Sequence, residues 1–222
     1  VLNLKGYKFE MHYHTNESSK CGKVPAKHSV DAYIASGYDG IVVTDHFSAY
    51  EWGTPEVDTW PAICKAFLNG YQAAAESVGN RVFKVLLGME IRFPGSDNDF
   101  LVYGFDESFL LDHPWVYMMT LAEFYELAKE DQLLIAQAHP FRAGCTLADT
   151  AFLHGIEVFN GNPRHQSRNE LAWEVAEKEG LIPLWGSDFH REGDLSGRYY
   201  ELSELPETSK ALAAIIRRQN GL

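Results

Sequence analysis

Cysteine is scarce in this chain. Cys21, Cys64 and Cys145 are the only three, too few and too scattered for a disulfide framework, so reduced thiols in a cytosolic setting are expected. Long apolar runs are missing as well. None is long enough to cross a bilayer, and the first residues carry no apolar core of a secretory signal, which leads us to expect a soluble, cytoplasmic protein with no membrane partner. Basic residues are outnumbered: 19 Lys and Arg against 31 Asp and Glu leave a formal charge of −12. Such a balance argues against broad binding to nucleic acid through its phosphates. It leaves room for a small anionic substrate, because carboxylates that hold divalent ions create a locally positive field. Repeats, low-complexity tracts and linkers are absent too, so residues 1–222 are expected to form a single domain.

What is present is an alternation of short β-branched runs with longer amphipathic ones. Strands are predicted over Lys8–His12, Gly40–Thr44, Val82–Glu90, Phe100–Phe105, Leu133–Ala138, Gly155–Phe159 and Ile182–Trp185. Helices are predicted over Lys27–Ser36, Asp58–Val78, Leu121–Asp131, Leu147–Leu153, Ser167–Glu179 and Glu207–Gln219. Strands separated by helices imply a mostly parallel α/β sheet. The turn-rich stretch between Glu90 and Asp99 (Pro94, Gly95, Ser96, Asp97, Asn98) predicts a hairpin that breaks this alternation.

The segment Glu10-Met11-His12-Tyr13-His14 carries the most chemistry. Residues i and i+2 of a strand share a face, so both imidazoles can converge on one point. Further ligand-type residues fall at or just beyond strand ends: His46, Glu90, His139, Asp188 and His190. Parallel barrels gather such ends at one mouth, and five histidines with two acids there predict a polynuclear metal site. Imidazole with carboxylate suits Zn, Mn or Fe better than Ca.

The motifs His12-x-His14-Thr15, Thr44-Asp45-His46, Gly88-x-Glu90, Ala138-His139-Pro140, Glu157-Val158-Phe159-Asn160-Gly161 and Gly186-Ser187-Asp188-x-His190 together resemble, in order, those of the PHP (polymerase and histidinol phosphatase) family. The resemblance implies a distorted barrel of seven β/α units and a phosphoesterase using two or three divalent ions. His12, His14, Glu90 and Asp188 would hold one ion. Glu90 would bridge to a second, shared with His139. His46 and His190 would hold a third. Two positions depart from the pattern. Asp99 (or, in another register, Asp97) stands where many relatives carry a histidine on the second ion. Cys21, before Gly22, stands where relatives place an aspartate or histidine completing the third site. Each is a candidate ligand, with a turn residue as the alternative.

Hydrolysis would proceed through water activated between the ions, with Asp188 or His190 assisting the leaving group and Arg142 binding the phosphate. Arg164, Arg168, Arg191 and Lys20 are weaker candidates for that contact. Asp45 is expected either to orient an imidazole or to cap a turn, Asn160 to line the pocket, and Glu157 to be structural. The stretch from Phe47 to Trp60 would form a lid. Trp52, Trp60, Trp115 and Tyr125 are expected in core or lid packing. The expected partner is a small phosphorylated molecule, a monoester more than a diester. An amidohydrolase-like cleavage of C–N or C–O bonds and a non-catalytic metal-binding module are the alternatives.

Overall fold

A computed structural model describes residues 6–222. Its strands and helices alternate as the hydrophobic pattern requires. In chain order they are β1 (Tyr7–Tyr13), α1 (Ala26–Ala35), β2 (Gly40–Val43), β3 (His46–Phe47), α2 (Ala49–Trp52), α3 (Trp60–Val78), β4 (Lys84–Ile91), β5 (Phe100–Tyr103), α4 (Glu107–Asp112), α5 (Leu121–Glu130), β6 (Leu134–Gln137), β7 (Gly155–Asn160), α6 (Asn169–Glu179), β8 (Ile182–Gly186), β9 (Tyr200–Leu202) and α7 (Ser209–Gln219).

The sheet runs β8-β7-β6-β5-β4-β2-β1-β9, with β3 extending beside the end of β4. It closes into a barrel through the segment just after β8. There Tyr13 pairs with Phe189 in parallel, and His14 N donates to Phe189 O at 3.1 Å. The expected distorted α/β barrel is therefore observed, although two short strands, β3 and β9, join the seven predicted ones. Both are too brief to show a period-2 signature.

The predicted hairpin is present: β5 pairs antiparallel with both β4 and β6. This reversal matters for the site. The start of β5, and with it Asp99, lies at the mouth formed by the carboxyl ends of the parallel strands, because Phe100 pairs with Ile91 at the end of β4.

The predicted helix over Leu147–Leu153 does not form; a 3-10 turn at Thr150–Phe152 replaces it. Side chains anchor the segment around its start and its turn. Thr146 N donates to Asn98 Oδ1, Ala148 N to Gln137 Oε1 and Ala151 N to Asp149 Oδ1, the last a local side-chain bond of the kind that favours turns over helix. The other helices match within two residues. Thr120 and Glu123 exchange hydrogen bonds at the start of α5 and form a capping box.

One apolar cluster packs α3 and α5 against the sheet, with Phe47, Trp60, Phe67 and Phe124 among its buried rings and Trp52, Trp115 and Tyr125 against them. A second joins Phe9, Met11, Leu101 and Tyr103 to Leu212 and Ile216 of α7. That helix closes the end opposite the mouth: Ser209 Oγ accepts from Gly104 N after β5, and Arg217 donates to Leu133 O before β6. No described helix is long and apolar enough to cross a membrane.

Candidate metal centre

Seven of the nine proposed ligands sit at the ends of parallel strands or just after them. His12 and His14 lie at and after the end of β1, His46 opens β3 opposite Glu90 of β4, His139 follows β6, and Asp188 and His190 follow β8. Asp99 arrives from the reversed strand and Cys21 from the turn after β1. His12, His14, Glu90, Asp99, His139 and Asp188 are all buried. Their local backbones are unusual. His139 and Asp188 have φ of 27° and 52°, a region non-glycine residues rarely occupy and one that clusters at functional sites.

The donor atoms face one another rather than conventional partners. His12 Nε2 lies 3.1 Å from His14 Nε2, 3.4 Å from Glu90 Oε1 and 3.6 Å from Asp188 Oδ1. His14 Nε2 lies 3.3 Å from Glu90 Oε2 and 3.4 Å from Asp188 Oδ1. Ligands at roughly 2.0–2.2 Å from a tetrahedral ion stand about 3.3–3.6 Å apart, so these separations are the edges of a coordination shell. His12 Nδ1 already binds Glu157 Oε1 at 2.8 Å, which leaves Nε2 with its lone pair in the neutral ring. Two inward-facing imidazole nitrogens and two carboxylates fit a shared cation.

Glu90 is the hub. Its Oε1 meets His139 Nε2 at 2.9 Å. Its Oε2 lies 2.8 Å from His46 Nδ1 yet has no hydrogen bond of acceptable geometry while fully buried. Orphaned carboxylate oxygens are costly inside a protein, and a bound cation would satisfy this one.

A further ring of contacts fixes the ligands. Glu157, expected to be structural, reaches the site directly: besides His12 it accepts from His139 N at 2.8 Å and Asn160 Nδ2 at 3.0 Å. Asp188 Oδ2 is held by Asn160 Nδ2 (3.3 Å) and Asn162 Nδ2 (3.2 Å), leaving Oδ1 toward the histidines. Asp45 orders the turn after β1, accepting from Thr15 N, Thr15 Oγ1 and Ser19 Oγ at 2.8, 2.7 and 2.6 Å. Ser19 Oγ in turn receives His46 N at 3.1 Å, so Asp45 acts on the imidazoles through Ser19. Gly186 is required here, because a Cβ would overlap His12. Glu157→Gln removes the acceptor for His139 N or misaligns His12; metal affinity is expected to fall roughly 10–100-fold, read by titration of the metal-free protein with Zn²⁺.

Charge coupling in the cluster is strong. Burial alone would lower the pKa values of His12, His14, His46 and His139, yet neighbouring groups raise them: Glu157, Glu90 and Asp188 at His12, Asp188 and Glu90 at His14, Glu90 and Cys21 at His46, and Cys145, Glu90 and Asp188 at His139, which reaches about 10. Glu90 and Asp188 are correspondingly held well below the usual carboxylate range, against burial. In the metal-free protein these raised pKa values favour the protonated imidazoles, most of all at His139, and ligation requires the neutral form. Metal binding is therefore expected to release protons at pH 7 and to weaken as pH falls, measurable by calorimetry in buffers of different ionisation enthalpy.

A cleft opens beside the cluster, lined by Cys21, His46, Arg92, Arg142, Asn162, Arg164, His165, Asp188, His190 and Arg191. Arg142 is there as expected, its Nη2 3.2 Å from Asp99 Oδ2. Arg92 was not anticipated; it grips both oxygens of Asp99 at 2.7 Å. Its signal lay two residues past Glu90, in the hairpin. Arg164 pairs with buried Asp194 at 2.6 and 2.7 Å, and Asp194 also accepts His190 N at 2.9 Å. Lys20 instead reaches Glu51, and Arg168 occupies the N-cap position of α6 and does not line the cleft. Of the expected lid, Ser48, Tyr50 and Glu51 border a recess shared with His46, Glu90, Arg92 and Asp99.

Cys21 Sγ lies 3.1 Å from His190 Nε2, and the donors of His14, Cys21, His46 and His190 all fall within 4.8 Å of one another. Burial would push this thiol up, but hydrogen bonds from His190 and His46 and the charge of His14 bring it down to about 5.

No curated protein matches the sequence. Among solved structures, a two-domain protein from Bacteroides vulgatus containing a predicted PHP-like metal-dependent phosphoesterase superimposes with a TM-score of 0.68 at 19% identity, covering 96% of this chain and 64% of that one. The chain thus spans less than two-thirds of that protein. PsfC from Pseudomonas syringae gives a TM-score of 0.63 at 18% identity, with 95% and 88% covered. An amidohydrolase from Chromobacterium violaceum, with bound sulfate and no metal, gives 0.57 at 15%, with 90% and 92% covered. Residues 10–221 match the family model described as PHP domain, and the chain belongs to that family.

Proposed function

We propose that this PHP-domain protein is a metal-dependent phosphomonoesterase acting on a small phosphorylated molecule, in the reducing cytoplasm that its three free thiols suit. The observation that carries the reading is a buried set of inward-facing lone pairs opening directly onto a cleft lined by guanidinium groups.

In this reading His12, His14, Glu90 and Asp188 hold one ion and Glu90 with His139 a second. His46, His190 and Cys21 hold a third. Divalent ions bound there supply Lewis acidity toward phosphoryl oxygens and activate water near neutral pH. The chain does the rest. Arg142 and Arg92 bind the non-bridging oxygens of the phosphate through charge-assisted, bidentate contacts. Asp99 serves as the carboxylate that aims both guanidiniums. His190 is oriented by its Nδ1 contact to Asp188 O at 2.8 Å, which leaves the Nε2 lone pair free to ligate the third ion. Several guanidiniums around one cleft favour a terminal dianionic phosphate over a singly charged diester. The sulfate bound by the Chromobacterium violaceum neighbour is a tetrahedral oxyanion of the same class.

The test is release of orthophosphate from monoesters and diesters by the Mn²⁺- or Zn²⁺-loaded protein, run beside amide and lactone substrates. Monoester turnover that stops on chelation and returns with metal is expected. Turnover confined to amides or lactones would overturn the assignment.

A further inference from the structure

The three candidate positions differ in donor chemistry. The first two carry carboxylate oxygens from Glu90 and Asp188 beside imidazoles. The third is framed by a sulfur and imidazoles, with no carboxylate in the group. A neutral imidazole has a single lone pair, and His14 Nε2 directs its own toward Glu90 and Asp188. The third position therefore rests on Cys21, His46 and His190, three ligands with one direction open, the arrangement of a catalytic rather than a sealed structural site.

The backbone builds this position. Gly22 N donates to Ser19 O at 3.0 Å and Lys23 N to His190 O at 2.8 Å, tying the turn that carries Cys21 to the segment that carries His190. Gly22 packs so closely on the Thr15 carbonyl that any Cβ would overlap it. His190 is oriented by its Nδ1 contact to Asp188 O, which leaves Nε2 facing the thiol. A span of 4.8 Å or less is one that a single ion bridges once nitrogen and sulfur settle at roughly 2.0–2.3 Å.

We propose that the Cys21–His46–His190 position is a thiolate–imidazole site selective for a soft divalent ion such as Zn²⁺, Fe²⁺ or Co²⁺ and closed to Mn²⁺ and Mg²⁺, while the carboxylate-bearing positions accept either kind. Sulfur ligands favour the softer metals, and oxygen ligands the harder ones. A protein given both kinds would carry a mixed centre. The inference rests on the metal reading of the site above, and its test uses metal content and spectra instead of turnover.

Metal-free protein is loaded separately with Mn²⁺, Zn²⁺ and Co²⁺, and bound metal is counted. The expected result is one more equivalent of Zn²⁺ or Co²⁺ than of Mn²⁺, with a sulfur-to-cobalt charge-transfer band in the near ultraviolet. Cys21→Ser should remove the band and one equivalent of Co²⁺. Cys145→Ser should leave both, because Cys145 Sγ faces the outer ring nitrogen of His139 at 3.9 Å. Cys21→Asp should restore the equivalent and admit Mn²⁺ to it. An equal count for Mn²⁺ and Co²⁺ in the native protein, or a cobalt spectrum without the band, would overturn the proposal even where Cys21→Ser fails to fold. Failure to bind any of the three ions would overturn the function proposed above as well, which separates the two failures.

Discussion

Glu90→Gln is expected to lower metal-dependent phosphate release by about three orders of magnitude, from a loss of several kcal/mol of transition-state charge stabilisation at 1.36 kcal/mol per decade. Glu90 offers two oxygens to four imidazole nitrogens, with His139 and His12 on Oε1 and His46 and His14 on Oε2. Glutamine keeps one acceptor and places an amide N–H₂ where the other pair of contacts stood. It would also remove the negative charge that two cations bound at Glu90 would share. The measurement is kcat at saturating Mn²⁺ or Zn²⁺, with circular dichroism confirming the fold. A variant within tenfold of the native rate would remove Glu90 from the centre of the account.

Asp99→Asn separates two roles that one aspartate could play. If Asp99 orients Arg92 and Arg142, the variant keeps its full complement of metal but loses the charge that aims both guanidiniums, and KM for a monoester should rise by about one to two orders of magnitude. This corresponds to roughly 1.5–3 kcal/mol for hydrogen bonds to charged groups. Arg142→Ala should produce a similar rise, and the two effects should not add, because the residues share one network. If Asp99 is instead a ligand of the second ion, elemental analysis of Asp99→Asn will show lost metal and kcat will fall with KM unchanged. The geometry accommodates both roles: both carboxylate oxygens are engaged by Arg92 at 2.7 Å, and the donors of His46, Glu90 and Asp99 also lie within 4.8 Å of one another.

Much of the site is legible in the sequence because its signals are local. His12 and His14 sit two apart on a strand. His46, His139, Asp188 and His190 follow apolar runs whose ends a parallel barrel must bring together. Glu90 closes a run buried on both faces. What could not be read depends on pairing across the chain. Arg92 reaches the cleft only because β5 turns back along β4, and no periodicity tells which side of a hairpin faces the mouth. Glu157 read as a structural residue since nothing in its own strand announces a bond to His12, 145 residues away. Asn162 and Asp194 lie in irregular loops whose contacts are long-range. The segment Leu147–Leu153, expected as a helix, carries only a 3-10 turn, and long-range bonds from Thr146 N to Asn98 and from Ala148 N to Gln137 anchor its start.

The account rests on the claim that the mouth of the barrel holds divalent cations among these side chains. An anomalous-scattering map from crystals grown with Zn²⁺ tests that most directly. The account predicts peaks within roughly 2.0–2.2 Å of His12 Nε2, His14 Nε2, Glu90 and Asp188, with a second beside His139. A map at saturating metal with no peak among these residues would contradict it.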